Sequence, residues 1–371
     1  MGWNSWNTFG SNINEQLIFE IADAMVDKGY RDAGYEYLVI DDCWSCRERD
    51  RSGKLVADPE KFPHGMKYVA DYVHSKGLKF GMYSAAGIMT CAGYPGSYGH
   101  EYQDAHTFAE WGVDYLKYDL CHYPGSGDVR NSYLTMSMAL RSTGREILFA
   151  GCTCGTYDPW DWMRSIGAHM YRSHADITDE YEAFRYIAQT QLPNFKYSGP
   201  GCFNDMDMLV VGMGGEGNVS HTGGCTDEEY LMHFSLWCLW GTPLMMGADI
   251  RNVNEYCRNV MLNRELIALN QDPDARAPFY EEKQRYASKA RMGLLKFLAN
   301  GEIVIAYYNF DINPLQVLLY FDDYGIPGGS NYGLELTDIL TGEDIGVKFD
   351  CYNPTLPGRS FKIYKAKFVE R

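Results

Sequence analysis

The chain has 371 residues, 46% hydrophobic and 22% charged, with a formal net charge of −16. That composition is ordinary for a globular protein long enough for one large and one smaller domain, and the acidity argues against nucleic acid or an anionic membrane as partner. No run approaches the roughly 18 apolar residues of a membrane span, and the 11 cysteines, an odd number, do not describe a disulfide scaffold.

In chain order, Trp3–Trp6 reads as a first strand. Asn14 then caps a helix whose apolar stripe is Leu17, Ile18, Ile21, Ala22 and Met25 and which stops at Lys28-Gly29. Strand-like Tyr37–Ile40 follows. The unit recurs: Met66, Val69 and Val73 lead through Lys76-Gly77 to Leu78–Tyr83, and Phe108 and Trp111 lead through Gly112 to Val113–Asp119. Glu146–Ala150 is a further strand, and Trp160–Ile166 leads through Gly167 to Ala168–Arg172. Asp207–Val211 and Pro243–Gly247 complete the series. A glycine just past each helix followed by an apolar run is the repeated helix-to-strand junction. About eight such strands alternating with helices predict a (β/α)8 barrel over residues 1–277.

From Pro278 the pattern becomes strand–turn–strand. Asn300-Gly301 joins Leu294–Leu298 to Glu302–Tyr308, a hairpin signal. Leu315–Phe321 is a further strand-like run and Phe361–Phe368 alternates like a half-buried strand. Residues 278–371 therefore read as a small antiparallel β-sandwich domain.

Reactive groups of such barrels gather at the C-terminal ends of the strands. Polar residues fall there repeatedly: Asp41 and Asp42, Tyr83, Asp119, Arg172 and Asp176, then Asp205 and Asp207 beside the seventh strand. A single loop aspartate is ordinarily a helix N-terminal residue, but coincidence at four or more strand ends points to a site. On Val113–Asp119 the residues Lys117 and Asp119 share one face, with Leu116 and Tyr118 on the other. Charged groups among apolar neighbours cost desolvation energy that chemistry or a tight ligand justifies. Two positioned carboxylates, Asp119 and Asp176, are the minimum equipment for cutting a glycosidic bond. His174 beside Asp176 reads as a surface histidine rather than half of a relay. Gly212-x-Gly214-x-x-Gly217 has a dinucleotide spacing but opens no helix, so it reads as a loop at the site. Thr226 and Glu229 make a capping box. Cys43-x-x-Cys46 and Cys152-x-Cys154 lack the partners of a structural zinc site. Without a signal peptide before the first motif, a cytoplasmic protein is expected unless a leader has been removed.

The motifs Met1-Gly2-Trp3-Asn4-Ser5-Trp6, Ile40-Asp41-Asp42-Cys43-Trp44, Gly81-Met82-Tyr83-Ser84, Thr90-Cys91-Ala92-Gly93 and Leu116-Lys117-Tyr118-Asp119 occur in this order. Arg172-Ser173-His174-Ala175-Asp176-Ile177, Asn204-Asp205-Met206-Asp207-Met208-Leu209 and Asn270-Gln271-Asp272-Pro273 continue it. Together they resemble glycoside hydrolase family 27, the α-galactosidase and α-N-acetylgalactosaminidase group. The resemblance implies a barrel followed by an antiparallel β-domain. It implies a retaining, exo-acting enzyme without metal or organic cofactor, with α-galactoside oligosaccharides or glycoconjugates as substrates and oligomeric state left open.

It also implies roles. Asp119 would be the nucleophile and Asp176 the general acid/base, with carboxyls roughly 5–6 Å apart. Lys117 would hold Asp119 ionised and touch the sugar, and the pKa of Asp176 would be raised by its negative neighbour. Asp41 and Asp42 match the pair that binds the axial O4 and the O6 of galactose. Trp6, Tyr83, Arg172 and Asp207 match sugar-contacting positions, with Tyr157 and Met208 beside them. Cys91 and Cys121 match a disulfide-forming pair next to the pocket. Cys152-Thr153-Cys154 stands where many relatives read Cys-Glu-Trp or Cys-Asn-Trp. Thr153 and Thr156 are intermediate in size at positions that choose between a 2-hydroxyl and a 2-acetamido group. An α-N-acetylgalactosaminidase is therefore the first alternative. A non-catalytic sugar-binding barrel and a metal-dependent hydrolase built on Asp41, Asp42, Asp205 and Asp207 are the others.

Overall fold

The computed structural model describes residues 1–125, 127–279 and 289–370. Residues 280–288, just past the boundary expected at 277/278, lie outside the described residues.

Eight parallel strands form the first sheet: β1 (Gly2–Asn4), β2 (Tyr37–Val39), β3 (Lys79–Ala85), β4 (Tyr115–Asp119), β5 (Leu148–Cys152), β6 (Met170–Arg172), β7 (Phe203–Asp205) and β8 (Met245–Met246). They stand in the order β7-β6-β5-β4-β3-β2-β1-β8. The gap between β7 and β8 is bridged by Leu209, which pairs with Met246, donates to the Met245 carbonyl at 2.7 Å and accepts from Gly247 at 2.9 Å. This closes the barrel. The helices expected before β2, β3 and β4 are Glu15–Asp27, Gly65–Ser75 and Glu101–Trp111. Asn14 caps the first of these by accepting from Leu17 N. The helix expected over Trp160–Ile166 is a single turn, Pro159–Trp162.

The seventh strand is displaced from its expected place. It covers Phe203–Asp205, and Asp207 has φ +86°, a left-handed conformation that ends a strand. The alternation Met206, Asp207, Met208 imitates a strand but belongs to the turn that follows one.

Strand alternation sorts the barrel interior into layers. Val39, Tyr115, Ala150, Met170 and Met245 pack together inside. The next inward residues toward the strand C-termini are Asp41, Lys117, Cys152 and Arg172. An apolar plug thus underlies a charged ring. Leu116 and Tyr118 face outward into the helix-covered core.

The second sheet has five antiparallel strands in the order β13-β12-β15-β10-β9, from β9 (Arg291–Phe297), β10 (Ile303–Asn309), β12 (Tyr332–Asp338), β13 (Asp344–Lys348) and β15 (Ser360–Glu370). The short pair β11 (Leu315–Gln316) and β14 (Thr355–Leu356) covers it. The run expected as one strand over Leu315–Phe321 is a two-residue strand followed by a 3-10 turn, Phe321–Tyr324. On β10, Ile303, Ile305 and Tyr307 face a separate core, while Val304, Ala306 and Tyr308 join the barrel core. The sheet is buried on both faces because one face packs on the helix Asp227–Trp240. Lys296 on β9 points the same way and donates to the carbonyls of Leu239 and Leu269, both at 3.0 Å. It closes the C-terminal ends of two barrel helices, where a cation is favoured, and burial lowers its pKa to about 8.

Candidate active site

One cavity opens at the C-terminal mouth of the barrel. Trp6, Asp41, Asp42, Tyr83, Cys91, Lys117, Asp119, Arg172, Asp176, Asp207 and Met208 all line it. Asp119 and Asp176 therefore face the same space. Asn7 and Val219 line it too; neither carries a charge or a motif of its own, although the loop holding Val219 is expected at the site. Asn7 follows a matched tryptophan, and Val219 lies in the glycine-rich loop between β7 and β8.

Each side chain is placed by its strand. Asp119 ends β4 and is nearly buried. Its carboxylate accepts from the Tyr83 hydroxyl at 3.1 Å and from Leu120 N at 2.8 Å. Tyr83 is held from β3, where it stands in register beside Lys117, and its phenol is pushed up by burial and then by Asp119. Lys117 does not pair with Asp119 as expected. Its ammonium donates to Asp41 Oδ2 at 2.8 Å, because Asp41, just past the end of β2 and separated from β4 by β3, projects into the same layer. Burial disfavours the charge on Lys117, but Asp41 and then Asp119 outweigh it and hold the lysine protonated.

Asp41 is fixed further by Asn4, which donates at 2.7 Å, and by Asp42 N at 2.9 Å. Asp42 accepts from Cys43 N at 2.7 Å and Ala92 N at 2.9 Å. Burial raises its pKa against those bonds. Cys43 has φ +72° and Asp207 φ +86°, strained positions of the kind concentrated at functional sites.

Arg172 ends β6 and is buried between two carboxylates. It donates to Asp176 Oδ1 at 2.8 Å and makes a short ion pair with Asp207. Asp207 also accepts from Ile177 N and Met208 N, both at 2.7 Å. Burial raises the Asp207 carboxyl to about 6, against the pull of Arg172. Asp176 behaves in the opposite way to expectation. Desolvation works to raise it, but Arg172 and then Lys117 prevail and hold its carboxyl below the usual range. The cause is Arg172, four residues earlier at the end of β6, which donates to it directly. Its side chain is 71% exposed, so solvent screens this effect.

Four expected site residues stand outside the cavity lining. Cys121 lies behind Cys91, to which it is joined in a disulfide. Thr153 and Thr156 turn their hydroxyls onto each other's carbonyls, at 2.7 and 2.6 Å. Tyr157 is 59% exposed. His174 accepts no partner from Asp176; its ring lies against Tyr186 and its Nδ1 faces the Ala175 carbonyl at 3.2 Å. The loop 212–217 opens no helix, and the Thr226–Glu229 capping box is present.

The arrangement provides a nearly buried carboxylate, an exposed one, a pair of fixed acceptors at one side and an aromatic wall. Such a set can accept hydrogen bonds from hydroxyls, and two carboxylates facing one space are the equipment that attack and protonation at a carbon between them would need.

A family model described as "Alpha galactosidase A" matches residues 1–272. Alpha-galactosidase A of Cellvibrio japonicus is 47% identical over 283 residues, covering 73% of this chain and 67% of that protein. Alpha-galactosidase 3 of Arabidopsis thaliana is 48% identical over 273 residues, covering 74% of this chain and 60% of that protein. The chain thus matches about two thirds or less of the length of these curated relatives. The crystal structure of alpha-galactosidase I from Mortierella vinacea superposes with a TM-score of 0.91 at 32% identity, over 100% of this chain and 96% of that one. Fold, ordered motifs and overall similarity agree, and the chain belongs to the alpha galactosidase A family, within glycoside hydrolase family 27.

Proposed function

We propose that this protein is a retaining, exo-acting α-galactosidase that releases terminal α-linked galactose from oligosaccharides or glycoconjugates. The observation that supports it most is that Asp119 and Asp176 open on one cavity whose wall also carries Asp41 and Asp42. The relatives that carry the α-galactosidase name favour galactose over the 2-acetamido sugar.

In this reading Asp119 attacks the anomeric carbon and the bond to the leaving oxygen breaks. Asp176 gives that oxygen its proton. A water then attacks the same carbon, Asp176 takes the proton, and the ester to Asp119 is released with net retention. Asp119 is pre-aimed by Tyr83 and Leu120 N. Arg172 holds Asp176 low in the free protein, so the proton is gained as the substrate excludes water from this exposed carboxyl, which favours the neutral acid. Asp41 and Asp42 accept from the sugar's O4 and O6 hydroxyls. A sugar with equatorial O4 leaves a buried acceptor unpaired and is rejected. The barrel spans residues 1–277 in this reading and the antiparallel unit 278–371.

Two measurements test it. Asp119→Ala abolishes hydrolysis of nitrophenyl α-galactoside, and azide restores turnover with inverted product; unaided hydrolysis by this variant refutes the nucleophile. Wild-type protein prefers that substrate to its 2-acetamido analogue; the reverse preference refutes the substrate.

A further inference from the structure

Asp119 stands between two pairs of sulfur atoms. On one side Cys91 and Cys121 are bonded to each other and offer no thiolate. On the other side Cys152, at the end of β5, and Cys154 are both free thiols. Their Sγ atoms are 3.7 Å apart. A carboxylate oxygen of Asp119 and these two sulfurs all lie within 4.8 Å of one another. Cys154 Sγ is also 3.8 Å from Asp176 Oδ1. Cys43 and Cys46, the other closely spaced pair in the sequence, gather no such third group among the described residues.

The sulfur–sulfur spacing is that of a coordination shell. Two thiolates about 2.3 Å from one tetrahedral ion stand about 3.8 Å apart. The turn that produces the sulfur pair is unusual backbone: Cys154, Tyr157 and Asp158 all have positive φ, 49°, 63° and 48°. The reciprocal bonds of Thr153 and Thr156 lock it. Left-handed backbone at Cys154 is disfavoured for a residue with a Cβ, and here it sets Cys154 back over Cys152. The adjoining cavity, which Asp119 lines and the two sulfurs do not, also suits a cation, with five carboxylates among its lining residues against Lys117 and Arg172.

We propose that Cys152, Cys154 and Asp119 form a binding site for one thiophilic divalent cation of the zinc and cadmium class, and that its occupation stops hydrolysis. Two metal–sulfur bonds form and the two thiol protons leave to solvent. Asp119 supplies a third ligand, and the fourth position is left to water. Soft sulfur donors select against magnesium and calcium. The inhibitory half rests on the reading of Asp119 and Asp176 given above; the binding half rests on the sulfur geometry alone.

The test uses the full chain with its Cys91–Cys121 disulfide intact, kept free of reductant and stripped of metal, titrated with cadmium while thiolate-to-metal absorbance is followed. A charge-transfer band saturating at one equivalent is expected, lost in Cys154→Ser and kept in Cys46→Ser. Hydrolysis of nitrophenyl α-galactoside falls at least tenfold over the same titration and returns with a chelator. Absence of the band, or the same band in Cys154→Ser, overturns the site. Should Cys154→Ser fail to fold, Cys152→Ala decides by the same criterion. A band with undiminished hydrolysis overturns the inhibitory half. A band in a protein that hydrolyses no α-galactoside at all sinks the catalytic reading and leaves the metal site standing.

Discussion

The two ends of the barrel are made by the same eight strands and handle charge in opposite ways. At the N-terminal end a wide hollow is bordered by Lys79, Asp114, Arg145 and His169. There Lys79, Asp114 and Arg145 are all paired: Lys79 reaches Glu36 at 2.8 Å, and Asp114 accepts from both Arg145 and His74. At the C-terminal mouth the cavity is tighter. Five carboxylates face two cations, and no ion pair reaches Asp42 or Asp119 among the described residues. The wider opening is the quieter one. Uncompensated buried charge is costly, so the end that carries it is the end where a ligand completes the balance.

The sharpest test of that contrast is Asp176→Ala. If Asp176 donates a proton, removing it slows cleavage of an unactivated galactoside by about a hundredfold to ten-thousandfold. A dinitrophenyl galactoside, whose leaving group needs no proton, is affected far less in its first step. Equal losses on both substrates would show that Asp176 has another role. Next in size is Arg172→Met, which leaves Asp207 buried without its cation. Removing one partner of such a pair costs about 3–5 kcal/mol, read as a loss in urea stability. Adding Asp207→Asn to the same chain should recover a large part of it; simple additivity would break the pairing argument.

Asp207 offers a smaller effect with a definite sign. Its carboxyl is raised to about 6 by burial, while an unfolded aspartate titrates near 3.9. The folded protein therefore holds this proton more tightly than the unfolded chain. The stabilisation is complete below about pH 4 and is lost as pH rises through about 6. The stability of the wild type relative to Asp207→Asn should fall by about 1–3 kcal/mol between pH 4 and 7. A flat difference would mean that Arg172 keeps Asp207 ionised throughout.

Much of this is legible in the sequence. The helix stripes and the glycines at 29, 77 and 112 announce the barrel because burial of one helix face and a left-handed stop are local requirements. Asp41, Asp42, Asp119 and Arg172 could be placed at strand ends for the same reason. Two things were not local. The seventh strand was set too late, since Met206-Asp207-Met208 alternates like a strand and only the φ of Asp207 shows that it turns. The choice of partner by Lys117 depends on which strand ends are neighbours in space, which the periodicity of a single segment does not encode. The depressed carboxyl of Asp176 is by contrast mainly local, set by Arg172 four residues earlier and helped by Lys117 from another strand. Asn7, with no charge and no motif of its own, gave no signal.

The smallest prediction tests the quiet end. Asp114 accepts from Arg145, from His74 at 2.7 Å and from Phe80 N at 2.8 Å, and its partners are about one-third exposed. Asn at this position keeps one oxygen for Phe80 N and gives up the charge. Solvent screens what is lost, so Asp114→Asn should cost about 1 kcal/mol of stability. Hydrolysis should keep its kcat/KM within about twofold, because the apolar layer of Val39, Tyr115, Ala150 and Met170 separates Asp114 from the mouth and rigid packing isolates the two ends. A tenfold fall in kcat/KM with stability intact would show that the ends communicate through the barrel, and the division of labour between them would have to be abandoned.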